Sequence, residues 1–295
     1  MRRKVKRVLA TAVILLLLPY IVTVFMNGSG IGVNVDAGDN YVKVQTATGT
    51  AKILLDEYGM GVLAKEISID DELEAVKAQA IVVRTSLYRE IEENGSKTVF
   101  QERFWSETDM KEQWGREKFQ KKYKKLVRAW EETDQRIIVY GGKPAIVPFH
   151  QLSNGKTRIG SEVLGSDAYP YLVSKECPKD LEAQDAMSTV MIEKADYEIT
   201  AYDSAGYVRS IRFGDRTYTG EEFRKEYGLA SSCFALQDYE GKLRVTVTGV
   251  GHGLGMSQNT ANELAKEGKK CDEIIQYFFE GTEIKEVAEI LLNVE

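Results

Sequence analysis

The stretch ILLDEYGMGVLAKEISIDDELEAVKAQAIVVRTSLYREIEENG, residues 53–95, decides the fold. Ile53-Leu54, Tyr58, Val62-Leu63 and Ile67 recur at helical spacing, which predicts a first helix over residues 52–66. Ile67-Ser68-Ile69-Asp70-Asp71 links it to a second. There Leu73, Val76, Ala80, Val83, Leu87 and Ile91 fall three and four residues apart and make one long apolar stripe. Asn94-Gly95 ends that helix.

Downstream, residues 107–133 read as a third helical region broken near Gly115, with Phe119, Tyr123, Leu126-Val127 and Trp130 on its apolar face. The basic run over residues 121–128 reads as its solvated face. The middle of the chain then turns to strands. Residues 136–140 and 144–149 flank Gly141-Gly142 as a hairpin, and 197–202, 207–213 and 216–219 form a meander. Over 243–250, Leu243, Val245 and Val247 alternate inward. Helices return at 259–266, where Thr260 and Glu263 form a capping-box pattern, and at 272–279. Helices, strands, then helices again predict an α+β fold, with mixed or antiparallel hairpins around one active-site cleft.

Upstream, residues 8–25 carry no charge and are just long enough to cross a hydrocarbon core. The division expected is a cytoplasmic basic tail at 1–7, a single transmembrane anchor at 8–26, a linker at 27–50 with one short strand at 42–46, and a catalytic domain at 51–295. A basic flank stays in the cytoplasm, so the body is expected outside the cell membrane. Five of the 39 basic residues lie in the first seven positions, and residues 1–27 hold no acid. The rest therefore carries 34 basic against 45 acidic side chains, which disfavours nucleic acid as a partner. Three Cys cannot build a disulfide framework, and buried free thiols are expected.

Three segments carry chemistry. Glu66 closes the first helix at the edge of its apolar stripe, where a partly desolvated carboxyl favours the proton-donating form a general acid needs. Lys77 and Arg84, seven apart, share one helix face and suit carboxylates. In FHQLSNGKT, residues 149–157, His150 enters a turn whose Ser153, Asn154 and Thr157 offer polar groups to a ligand. In GVGHGLGMSQ, residues 249–258, glycines at every second position let backbone approach a ligand and set His252 at a cleft mouth, ahead of Ser257 and Gln258. The G-x-G-x-x-G dinucleotide spacing fails here, at Met256 or Leu254. His150 and His252 are the only two His, and no spacing supplies a third metal ligand, so neither metal nor cofactor is expected.

Together these segments resemble the stage II sporulation protein D family, in the right order from about Ala51 to Ile284. The residues carrying the likeness are Tyr58, Gly61-Val62, Glu66-Ile67, Lys77-Ala78-Gln79-Ala80 with Arg84-Thr85, Phe149-His150 with Ser153-Asn154-Gly155-Lys156-Thr157, and Gly251 through Gln258. Ile67, Ser86 and Cys271 depart from the family pattern, and some relatives' zinc-binding Cys are lacking between Phe149 and Glu176.

The resemblance implies a membrane-anchored lytic transglycosylase acting on peptidoglycan glycan strands stripped of peptide, during septal wall thinning and engulfment. It places the acid/base on Glu66, and Lys77, Arg84, His150 and His252 along the cleft. Ser153, Asn154, Thr157, Ser257 and Gln258 are expected to bind substrate beside them, and Lys77 or Arg84 to pair with the lactyl carboxylate of muramic acid. A sporulation amidase and a second sporulation membrane protein are the implied partners. Two other readings stand beside it: a wall-binding module that activates an amidase without catalysis, and a zinc hydrolase using the two His. Asp70 and Asp71 offer a second carboxylate for plain hydrolysis.

Overall fold

A computed structural model describes residues 41–46, 49–101 and 103–291. The basic tail, the anchor and most of the linker expected from the sequence lie outside the described residues. Among the described residues no helix is long and apolar enough to cross a membrane.

The fold is mixed α+β, and it begins within the expected linker. Strand β1 (Tyr41–Thr46) pairs antiparallel with β2 (Gly49–Leu54) and parallel with β3 (Val99–Gln101). Val42 and Val44 are buried, so this sheet belongs to the folded body. Ile53 and Leu54 therefore end a strand, and helix α1 runs only over Leu55–Glu66. Alternation through Thr50-Ala51-Lys52-Ile53 satisfies a strand as well as it satisfies a helix start, and pairing with β1 decides the matter.

Helix α2 (Leu73–Asn94) is the axis of the molecule. The expected stripe of Val76, Ala80, Val83, Leu87 and Ile91 packs against α1 and the aromatic residues that follow. A second face, with Ala75, Ala78, Ile81 and Val82, packs into another core. A helix apolar on both sides is a buried one. Helices α3 (Glu107–Trp114) and α4 (Arg116–Glu131) break at Gly115, as the sequence predicts. Its φ of +75° suits glycine.

Strand β4 (Arg136–Tyr140) turns into the two-residue β5 (Lys143–Pro144). The expected second strand stops there, and the chain reaches β6 (Phe149–His150) as a separate element. After a short helix, α5 (Gly160–Leu164), comes a lobe built from β7 (Met187–Glu193), β8 (Tyr197–Tyr202), β9 (Val208–Phe213), β10 (Arg216–Thr219), helix α6 (Gly220–Glu226), β11 (Phe234–Tyr239) and β12 (Lys242–Thr248). The meander β10-β9-β8 and the sheet β11-β12-β7 are both antiparallel. They share a core of their own, in which Leu243, Val245 and Val247 are fully buried, as their alternation predicts.

The chain returns through β13 (Met256–Ser257), helix α7 (Gln258–Lys266), helix α8 (Cys271–Phe278), strand β14 (Glu283–Glu286) and helix α9 (Val287–Leu291). Strand β14 pairs antiparallel with β4. Helices α7 and α8 close the second face of α2. The N-cap of α7 is Ser257, whose hydroxyl accepts from the Thr260 amide, so the expected cap at Thr260 falls inside the helix. Cys177, Cys233 and Cys271 are free, the first and last buried and Cys233 half-buried.

Candidate active site

Three stretches far apart in sequence meet where α1 ends. Strand β6 runs parallel to β13, pairing Phe149 with Met256 and His150 with Ser257. Leu152 bridges to Val250, so residues 149–152 and 250–257 lie side by side. Gln258, first residue of α7, donates from Nε2 to the Glu66 carbonyl at 2.7 Å and to Gln79 Oε1 at 3.2 Å. One amide thus ties the end of α1 to α2 and α7.

The glycines of residues 249–255 all hold positive φ, from +73° to +111°. They let backbone approach closely, but what approaches is the protein itself. A Cβ on Gly255 would stand 2.0 Å from the Pro148 carbonyl oxygen, and one on Gly251 2.6 Å from His150 Cβ. The loop thereby holds the two imidazoles together, with ring centroids 5.9 Å apart.

Leu254 fixes both rings. Its carbonyl accepts from His150 Nδ1 at 3.1 Å, and its amide donates to His252 Nδ1 at 3.1 Å. His150 therefore carries its proton on Nδ1 and leaves Nε2 buried without a partner among the described residues, while His252 carries its proton on Nε2. Burial, and then the neighbouring His252, pulls the His150 pKa down to about 4, so it is neutral at physiological pH. Burial lowers His252 as well. Two imidazoles make no metal centre, and among the described residues no group of three His, Cys, Asp or Glu stands close enough to hold an ion.

Glu66 is half-buried, and its carboxyl makes no hydrogen bond or ion pair among the described residues. It lines two hollows at once. One, of about 690 Å³, also has His252, Phe149, Arg89 and Arg103 in its wall. The other, of about 530 Å³, is walled by Asp71, Trp105, Trp114, Lys122 and Gln258. Glu66 thus borders both hollows, its carboxyl without a partner among the described residues.

Lys77 and Arg84 do share a face of α2, but that face is turned to the end of α4. Arg84 is buried, donates to the carbonyls of Thr133 at 2.6 Å and Trp130 at 3.0 Å, and lies 4.0 Å over the Trp130 ring. It caps the C-terminal carbonyls of α4, where a cation is favoured. Burial draws it down to about 10, still charged at neutral pH. Lys77 pairs with Glu74 at 2.9 Å and with Glu132. Both cations are thus taken up by protein partners, and neither lines either hollow.

The hydroxyls of Ser153, Thr157 and Ser257 are likewise committed. Ser257 donates to Asp180, which also takes the Ser153 amide, the Asn259 side chain and the Thr260 hydroxyl. Thr157 accepts from the Lys175 amide, and its hydroxyl reaches the Val173 carbonyl. Asn154 donates to the Ala205 carbonyl at 2.7 Å, pinning the lobe to the body. Of the sequence-predicted residues, Glu66, His252, Gln258 and the alternative carboxylate Asp71 line the hollows.

Three groups escaped the sequence reading. Asp180 is the buried hub of four donors, yet nothing in CPKD sets it apart. Arg158 is buried, bonds Asp203 at 2.6 Å and Glu221 at 3.0 Å, and donates to the His252 carbonyl at 3.0 Å. Its place after the SNGKT turn was the one available hint. Trp105 and Trp114 carry no periodicity that would mark them in the sequence.

A family model described as stage II sporulation protein matches residues 43–140. Stage II sporulation protein D of Bacillus subtilis is 32% identical over 266 residues, covering 82% of this chain and 77% of the relative. The chain belongs to the stage II sporulation protein D family of sporulation proteins. The Bacillus amyloliquefaciens stage II sporulation protein D is 29% identical over 264 residues, covering 81% of this chain and 76% of that one. An uncharacterized protein of Brachyspira hyodysenteriae is 28% identical over 252 residues, covering 78% and 66% respectively. Membership agrees with the resemblance drawn from the two helices and the Gly251–Gln258 segment.

Proposed function

We propose that this sporulation protein is a lytic transglycosylase of peptidoglycan, with Glu66 as its acid and base. The observation that carries the reading is the Glu66 carboxyl, half-buried, without a partner among the described residues and on the border of two hollows. Glu66 protonates the glycosidic oxygen between N-acetylmuramic acid and N-acetylglucosamine while positive charge builds at C1. The same carboxylate then takes the proton from the muramoyl C6 hydroxyl, whose oxygen closes on C1 to give a 1,6-anhydro ring. Because the nucleophile belongs to the sugar, one carboxyl performs both transfers. His252 shares the hollow, its ring held in place by the Leu254 amide on Nδ1.

In this reading residues 8–26 anchor the chain in the cell membrane, the body faces the wall, and an amidase strips peptides from the strands it cleaves. The test compares the purified full chain with Glu66→Gln on denuded glycan strands, with products read by mass. Anhydro ends from the wild type alone support the proposal. Reducing ends support hydrolysis instead, and identical products from both chains overturn it.

A further inference from the structure

The hollow holding Asp71 borders Glu66, but the acid–base chemistry just described gives no role to its other walls. Its wall combines two chemistries. Trp105 and Trp114 meet edge to face at 6.4 Å, and Trp114 stacks on Phe119, which stacks on Tyr123 at 5.2 Å. Both indoles are half-buried, and neither N–H has a hydrogen-bond partner among the described residues. Trp130 differs, being buried with its N–H on Asp56 at 2.9 Å. The first pair is held rigidly. The Trp105 amide donates to the Gly61 carbonyl at 3.0 Å, and the Ser106–Asp109 capping box fixes the turn that follows.

Across the same hollow stands Asp71, half-buried, with no hydrogen bond or ion pair to its carboxyl among the described residues. Facing it are Lys125 of α4, Lys266 of α7, and its neighbours Asp70 and Glu72. Burial, only partly offset by the two lysines, lifts it to about 6. A carboxyl held half out of water with nothing to accept from is a costly arrangement unless a ligand completes it. Apolar planes with free N–H donors beside an acceptor match a sugar ring, which has apolar C–H faces and hydroxyls around its rim.

We propose that this hollow is a sugar subsite, in which an N-acetylhexosamine ring of the strand lies against Trp105 and Trp114 and donates a hydroxyl or amide hydrogen to Asp71. The proposal rests on the reading that the Glu66 groove holds glycan. It adds which side of Glu66 is built for a sugar plane, and which residues grip it.

The test uses the full chain carrying Glu66→Gln, with denuded glycan strands as the probe. Two of the three Trp line the hollow, so intrinsic fluorescence reports its occupation directly. Strand binding is expected to change the emission, and Trp105→Phe and Asp71→Asn, added singly, to weaken binding about tenfold with unchanged circular dichroism. Trp105→Phe keeps an aromatic ring in the packing and removes the indole N–H. Sedimentation of the chain with strands, without change in emission and with both variants binding like the parent, overturns the subsite and leaves the glycan reading standing. Failure of the parent to bind strands at all overturns both.

Discussion

Gln258 Nε2 donates to the main-chain carbonyl of Glu66 at 2.7 Å, across 192 positions of sequence. The bond leaves the Glu66 carboxyl free while holding the backbone that aims it. Gln258→Ala is therefore expected to lower kcat on denuded glycan by about 10- to 100-fold with little change in KM, since a small misplacement of a proton donor is felt in the transition state. Gln258→Glu, which keeps the size and loses the donor, should match it. Steady-state kinetics decides, and a loss confined to KM would assign Gln258 to substrate instead.

Asp71 sets a stability signature of known sign. Its folded pKa of about 6 lies above the ordinary aspartate value of 3.8, so the folded state holds the proton more tightly than the unfolded one. Its contribution is most favourable below about 3.8 and is lost as pH rises through about 6. Asp71→Asn should therefore be more stable than wild type at pH 7.5, by on the order of 1 kcal/mol once screening by solvent at this half-buried site is allowed for. The difference should vanish near pH 4. Denaturant titrations at the two pH values test this.

Arg84→Ala removes a buried cation from three acceptors at the end of α4. A loss of about 3 kcal/mol in unfolding free energy is expected. Turnover per folded molecule should be kept, because the guanidinium lies outside both hollows. Activity normalised to the folded fraction separates this from a role at the substrate.

Gly255→Ala and Gly268→Ala make a matched pair. Both have positive φ, +73° and +93°. At Gly268 a Cβ meets nothing within 4 Å, so only the backbone penalty of about 1 kcal/mol applies. At Gly255 the Pro148 carbonyl oxygen would be 2.0 Å away, which forces β6 and β13 apart. Thermal melts should show a deficit for Gly255→Ala at least twice that of Gly268→Ala.

Much of this molecule is legible in its sequence, and the rest is hidden for identifiable reasons. The stripe from Leu73 to Ile91 predicts α2 because helical periodicity is local. Glu66 is legible because the stripe before it fixes which way it faces. For Lys77 and Arg84, spacing gives the shared face and not what covers it, which is the end of α4. The alternating glycines signal close approach correctly, but whether ligand or protein approaches is a tertiary fact. Asp180 and Arg158 are invisible for the same reason, since each gathers partners from segments remote in the chain. Strand β2 is missed because its alternation overlaps the onset of the helix it feeds.

The lobe of residues 187–248 has a core separate from those around α2. Its seam to the body runs through Arg158 and Asp203, both buried, and through Asn154 on the Ala205 carbonyl. Heating should therefore meet two cooperative units rather than one, and calorimetry of the intact chain should give an asymmetric endotherm. Neutralising Asp203 would unpick the seam and split that endotherm in two. Since Arg158 also holds the His252 carbonyl, the lobe's melting and the imidazole's position are one event.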